Sequence, residues 1–296
     1  MSIVTASNWR LGVPATLLVL VVGTLVISWL IGSLLVRSTH SAVEPARAPA
    51  QDLTIVTADG LSLAATFRPG RRVDAPAVLL LHGNGASREQ TADNAAWLAV
   101  RGYATLTIDF RGHGQSSASS HSFGWNESKD VRAAFAWLKE KEHGAPVALI
   151  GISMGGASAL LGDNGPVAAD AMVLQAVYSD IRHSIRNRMA SMISRWPATL
   201  FEPLLSFQSR LRFGVWPSRL SALDALERYR GPVLIIGGAD DPFTPSEETQ
   251  RMFDAVPGPK TLWLAPGVNH EGISDLESSD YRQQLLSFLE RTIGTP

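Results

Sequence analysis

From Leu11 to Val36 the chain carries no charged residue, and its apolar runs Leu17–Val22 and Leu25–Ile27 are broken only by Gly23, Thr24 and Ser28. As a helix this stretch is roughly 39 Å long at about 1.5 Å per residue, against a hydrocarbon core of roughly 30 Å. A cleaved leader carries a shorter apolar region, about 7–15 residues, and Ala48-Pro49-Ala50 lies too far downstream to be its cleavage site. The pattern therefore predicts an uncleaved, single-pass transmembrane helix over residues 11–36. A tail, 1–10, precedes it. A linker, 37–52, follows it, marked by Pro45, Pro49 and several alanines. Arg10 on one side and Arg37 and Arg47 on the other give almost no charge bias. The expected arrangement puts the short tail inside and the large domain on the extracytoplasmic side.

Beyond residue 52 the periodicity changes. Leu53 to Thr57 and Leu61 to Phe67 alternate apolar and polar positions around Ala58-Asp59-Gly60, a hairpin signal. Ala77 to Leu81 is continuously apolar, as expected for a strand buried on both faces. Ser87 and Gln90 fit a capping box for a helix running to about Arg101. Strands are predicted at Ala104–Ile108, Pro146–Ile150, Ala171–Ala176, Val233–Ile236 and Thr261–Leu264. Helices are predicted at Glu127–Lys141, with Val131, Ala134, Phe135 and Leu138 on one face, and at Tyr281–Thr292. Two antiparallel strands followed by alternating strands and helices imply a mostly parallel central sheet with helices on both faces, an α/β fold over residues 53–296.

Composition narrows the chemistry. The chain has 296 residues, 45% of them hydrophobic, a net charge of −1 and no cysteine. The near-neutral balance gives no reason to expect a nucleic-acid partner, and the missing cysteine removes disulfides, thiolate metal sites and a cysteine nucleophile. Neither a G-x-G-x-x-G, a G-x-x-x-x-G-K-[ST] nor an H-E-x-x-H motif occurs, and the expected chemistry needs no cofactor and no metal.

One motif does stand out. Gly151-Ile152-Ser153-Met154-Gly155 directly follows an apolar run and fits G-x-S-x-G, the nucleophile elbow. A strand that turns straight into a helix strains the serine backbone, and small residues two before and two after it remove the clash with the adjoining elements. The hydroxyl then stands at the carboxyl end of a strand and above a helix N-terminus, where developing negative charge is favoured.

With this elbow, four other segments make the chain resemble the α/β-hydrolase superfamily from about Leu53 onward. In order they are His82-Gly83-Asn84-Gly85, the loop Asp109 to Gly114, Gly238-Ala239-Asp240-Asp241-Pro242-Phe243-Thr244-Pro245, and Gly267-Val268-Asn269-His270. The apolar N-terminal helix is similar to that of membrane-anchored esterases of the superfamily. The resemblance implies a catalytic Ser153, a base at His270 after the last strand, and an orienting carboxylate at Asp241. Asp240 competes for that last role, but only Asp241 stands three residues after Gly238 and just before a proline. The backbone N–H groups of Asn84 and Met154 are the implied oxyanion donors. His82, Asp109, Arg111 and His113 are expected to brace tight turns.

The stretch between Ala176 and Val233 is too long for a simple crossover, and the resemblance puts a helical lid there, about residues 180–228. Ile185, Met189, Met192, Ile193 and Trp196 recur at helical spacing, as do Leu200, Phe201, Leu204, Leu205 and Phe207. These faces either pack on the core or roof an acyl pocket. Nine arginines between Ile181 and Arg230, opposed only by Glu202, Asp224 and Glu227, are either a solvated face or a surface for anionic headgroups.

The expected function is that of a membrane-anchored serine hydrolase cleaving a small-molecule ester or lipid-like substrate. A peptidase or thioesterase would use the same machinery, and a tethered binding protein could keep the fold without turnover. The oligomeric state, acyl group and alcohol stay open.

Overall fold

The computed structural model describes residues 9–296, with side chains from residue 14 onward. Residues 1–8 of the expected tail and the Arg10 side chain lie outside the described residues. Helix α1 (Trp9–Leu35) opens the chain, followed by β1 (Thr39–His40), β2 (Gln51–Val56), β3 (Ser62–Arg68) and β4 (Ala77–Leu81). Then come α2 (Ala92–Val100), β5 (Ala104–Ile108), β6 (His113–Gly114), α3 (Glu127–Lys141), β7 (Val147–Ile152), α4 (Met154–Leu160) and β8 (Ala171–Gln175). Four helices follow, α5 (Ile181–Ile193), α6 (Arg195–Ser206), α7 (Gln208–Phe213) and α8 (Ala222–Leu226). The chain closes with β9 (Val233–Gly238), α9 (Ser246–Ala255), β10 (Lys260–Ala265) and α10 (Ser279–Ile293).

Eight strands form one sheet in the order β10-β9-β8-β7-β4-β5-β3-β2. The six from β10 to β5 run parallel, and the β2–β3 hairpin adds two antiparallel strands at one edge. Alternation inside the apolar strands explains why they read as unbroken hydrophobic runs. In β4, Leu79 and Leu81 pack toward the α3 and α4 face with Val131, Leu138 and Leu160. Val78 and Leu80 point the other way, toward Leu98 of α2 and Leu285 and Leu289 of α10. Each such leucine removed from water contributes roughly 1.5–3 kcal/mol.

The order of the strands reverses at β4, because the chain places β5 on one side of it and β7 on the other. A crevice opens at the carboxyl ends of strands at such a reversal. The turns after β4, β7, β9 and β10 all open at that end.

Two local expectations differ from the structure, the capping box and the packing of some apolar positions after β8. Ser87 does cap, accepting from the Glu89 N–H at 3.4 Å, but it starts a short 3-10 turn at Arg88–Thr91 and α2 begins only at Ala92. Gln90 does not close a capping box, because its Oε1 accepts the Gly83 N–H at 2.7 Å. Within the expected linker, Thr39 and His40 pair with His113 and Gly114, and Val43 is buried. Of the apolar lid positions, Trp196, Leu200 and Phe207 neither pack on the core nor roof a pocket but are exposed.

Within α1, Pro14–Leu35 spans 22 residues with mean hydropathy 2.5, long and apolar enough to cross a membrane. A signal sequence meets the same criterion of length and composition.

Candidate active site

Ser153 sits between the last residue of β7 and the first of α4 with φ 49° and ψ −113°. Such a backbone is strained for a residue with a side chain, and it persists only where the surroundings impose it. Here they do. The Ser153 N–H donates to Gln175 O of the neighbouring strand at 2.8 Å. A Cβ on Gly151 would stand 2.5 Å from Gly156 Cα, and one on Gly155 would stand 2.6 Å from Leu81 O. The helix can thus fold back onto β7 and lie against the end of β4 only because both positions lack a side chain. Gly156 extends the requirement, since a Cβ there would meet Val177 Cγ2 at 2.3 Å.

The turn after β4 lies alongside. A Cβ on Gly83 would be 3.9 Å from Ser153 Cβ. Buried His82 holds this turn, donating from Nδ1 to Gly83 O at 2.7 Å and accepting the Phe110 N–H at Nε2 at 3.1 Å. Both ring nitrogens are engaged in this way, and burial pushes the His82 pKa down to about 4, so the ring is neutral. Nothing among the described residues accepts from the backbone N–H groups of Asn84 or Met154. The first N–H of a helix has no partner within that helix, so Met154 carries one by position.

Asp241 and His270 come from the turns after β9 and β10. His270 Nδ1 lies 2.7 Å from Asp241 Oδ2. Asp241 Oδ1 accepts the Phe243 N–H at 2.7 Å and the Thr244 N–H at 2.9 Å, and Thr244 Oγ1 donates to Oδ2. Burial raises the Asp241 pKa, but the bonds from His270 and Thr244 outweigh it and hold the carboxyl below its usual value. An ionised acceptor makes Nδ1 the protonated nitrogen of neutral His270 and leaves Nε2 with its lone pair free. Asp240, by contrast, is exposed, and its N–H donates to Val268 O at 3.0 Å.

Ser153 and Met154 line a cavity of about 360 Å³ whose other walls include Asn84, Ile185, Met189, Phe213, and Ile31 and Leu35 of α1. Arg188 also lines it, a residue that sequence spacing did not single out within the basic stretch. Its Nη1 donates to Ser184 Oγ at 2.7 Å, its guanidinium lies 4.9 Å from the Phe243 ring centroid, and its Nη2 is 3.5 Å from His270 Nε2. Burial lowers the Arg188 pKa, with Tyr178, Asp241 and Glu248 opposing the shift. At 3.5 Å the contact with Nε2 is long and weak, so it does not tie up the base.

Asp109 and Arg111 brace the neighbouring loop. Asp109 takes the Arg88 side chain and the Gln115 N–H, and Arg111 bridges Asp130 at 2.7 Å and Asp59 at 2.8 Å. His113 stacks on His121 at 3.8 Å between centroids. Among the described residues no group of three or more His, Asp or Glu side chains is placed to hold a metal ion.

Two curated proteins and one solved structure give the relationship. YqkD of Bacillus subtilis strain 168 is 29% identical over 194 residues, 64% of this chain and 63% of that protein. The lysophosphatidylserine lipase ABHD12 of Danio rerio is 25% identical over 194 residues, 63% of this chain and 49% of that protein. The matched segment is thus less than two thirds of either relative's length. The Pyrococcus furiosus esterase Pf2001 superposes with a TM-score of 0.66 at 22% identity, over 86% of this chain and all of that one, a likeness of fold. The family model for the alpha/beta hydrolase family matches residues 78–282, from the central strand through the start of the closing helix, and this chain belongs to that family.

Proposed function

We propose that this protein is a membrane-anchored serine hydrolase that cleaves carboxylic esters through an acyl-enzyme. Residues 11–36 are its anchor, 37–52 tie the anchor to the domain, 53–296 are catalytic, and about 180–228 form the lid. The observation that carries the reading is the pairing of Asp241 with His270 at the same sheet end as the strained Ser153. A serine hydroxyl is a poor nucleophile until a base takes its proton, and an imidazole with an ionised carboxylate behind it is such a base.

In this reading Ser153 Oγ attacks the ester carbonyl carbon while its proton passes to His270 Nε2. Asp241 stabilises the imidazolium that forms. The carbonyl oxygen becomes an oxyanion, for which the Asn84 and Met154 N–H groups are the donors. The C–O bond to the alcohol breaks, and the alkoxide takes the proton from Nε2. Water then gives its proton to Nε2 and attacks the acyl-enzyme; the bond to Ser153 Oγ breaks, Oγ takes the proton back from Nε2, and the carboxylic acid leaves. No cofactor enters.

The apolar lining of the cavity supports an acyl group as occupant, and similarity to a protein named as a lysophosphatidylserine lipase supports a lipid-like ester. The test is hydrolysis of p-nitrophenyl esters from acetate to palmitate by the full chain in detergent, beside Ser153→Ala. Turnover that falls about a thousandfold or more in the variant supports the assignment. Equal turnover by both proteins refutes it.

A further inference from the structure

Anchors that only tether need no fixed contact with the domain they carry, yet α1 is clamped to the lid. Ser28 Oγ donates to Leu204 O at 2.7 Å, and Gln208 Nε2 donates to Ser28 O at 2.9 Å. Arg212 Nη2 donates to Trp29 O at 2.8 Å and to Ser33 Oγ at 2.9 Å, and its guanidinium lies 3.8 Å from the Trp29 ring centroid. A Cβ on Gly32 would stand 2.0 Å from Gln208 Oε1, so the Gln208 side chain fills the space that the glycine leaves.

The clamp puts the end of α1 into the site. Ile31, Leu35 and Val36 line the cavity that holds Ser153. Ile31, Leu35 and Met192 line it and are also exposed, so its mouth opens beside α1.

Length fixes the depth. The uncharged residues 11–35 of α1 span about 38 Å, against a hydrocarbon core of roughly 30 Å. The clamped part, 28–35, takes about 12 Å of that and leaves about 26 Å, short of the core on its own. The lid therefore has to dip into the leaflet. Its outer surface fits that position: Trp196 and Leu211 are each 76% exposed, and Trp216 and Leu200 are exposed beside them. In water such side chains are a liability, whereas at a bilayer interface they are favourable.

We infer that α1 is one wall of the acyl site, and that the substrates are long-chain acyl esters resident in the bilayer whose chain passes from the leaflet between α1 and α5. The inference rests on the serine-hydrolase reading and names its substrate class.

The test uses full-length protein in phosphatidylcholine vesicles with a series of p-nitrophenyl esters from butyrate through palmitate to longer chains. Leu35→Trp narrows the wall, and Ser28→Leu breaks the Ser28 hydroxyl's part of the clamp without touching the cavity. Both variants should lower the palmitate-to-butyrate ratio of kcat/KM about tenfold. Leu35→Ala widens the wall and should move the chain-length optimum to longer esters, a result no unfolded variant can mimic. An unchanged ratio in the first two with an unmoved optimum in the third would overturn the inference while leaving the hydrolase intact. Absence of Ser153-dependent turnover in the wild type would overturn both.

Discussion

Asp241 Oδ2 stands 2.7 Å from His270 Nδ1, although 29 positions separate the two residues in the chain. The contact is made because β9 and β10 are adjacent and parallel, so the turns that follow them meet. An amide at position 241 can offer its N–H to the ring and fix the wrong tautomer. Asp241→Asn should therefore lower kcat by roughly a thousandfold or more, while Asp240→Asn stays within about twofold. Ester hydrolysis by the two variants distinguishes them, and the reverse order would transfer the orienting role to Asp240.

Gly151→Ala sets a backbone-to-backbone clash, since the new Cβ would lie 2.5 Å from Gly156 Cα and from Gly156 N. No rotamer change relieves it. Gly156→Ala meets Val177 Cγ2 at 2.3 Å, with Gly151 O at 3.1 Å and Leu174 Cδ2 at 3.3 Å, so its shortest contact is with a side chain rather than with backbone. Both should destabilise, by about 1–3 kcal/mol, with Gly151→Ala the worse. Urea denaturation of the two variants gives the order.

Arg188 brings a positive charge to the cavity that holds Ser153, and among the described residues no carboxylate forms an ion pair with it. A cation so placed favours substrates that carry a negative group near the ester. Arg188→Gln should lower kcat/KM for an anionic ester by about tenfold relative to a neutral ester of the same acyl chain, the loss expected for one charge-assisted hydrogen bond. Equal loss on both esters would mean that Arg188 only supports the fold.

Stability should fall in mild acid. Burial pushes His82 down to about 4 and His113 down to about 3, and it lowers His121 as well. His82 and His113 are neutral in the folded protein down to about pH 4, while the unfolded chain takes up protons near pH 6.5. The unfolded state thus binds more protons between those limits, so stability is complete above pH 6.5 and is lost as pH falls toward 3–4. At pH 5 His82 and His113 each cost about 2 kcal/mol. His113→Phe keeps a ring against His121 but removes one titrating group. Its urea midpoint should depend less steeply on pH between 4 and 6.5 than the wild type's, and an identical slope would remove His113 from the account.

The strands and long helices were legible in the sequence because their apolar positions repeat at a fixed period. Glu127–Lys141 begins and ends where its pattern does, and the buried strands lie within a residue or two of their apolar runs. The elbow was legible for a different reason, since the glycines that its clash requires leave a spacing that can be read directly. What stayed hidden depends on contacts between distant segments. Gln90 looks like a capping residue until Gly83 is beside it. Thr39 and His40 look like linker until β6 offers them a partner. Arg188 is one arginine among nine until α5 is laid over the end of β7. Trp196 and Leu200 have the period of a buried face, yet the fold leaves them exposed.

The most direct measurement is labelling of the full-length protein by a fluorophosphonate probe, which phosphonylates only a serine activated as a nucleophile. Wild type should label, Ser153→Ala should not, and His270→Ala should label far more slowly because the base is gone. Undiminished labelling of Ser153→Ala, in a protein that melts like the wild type, would contradict the assignment of Ser153 as the nucleophile and with it the reaction proposed here.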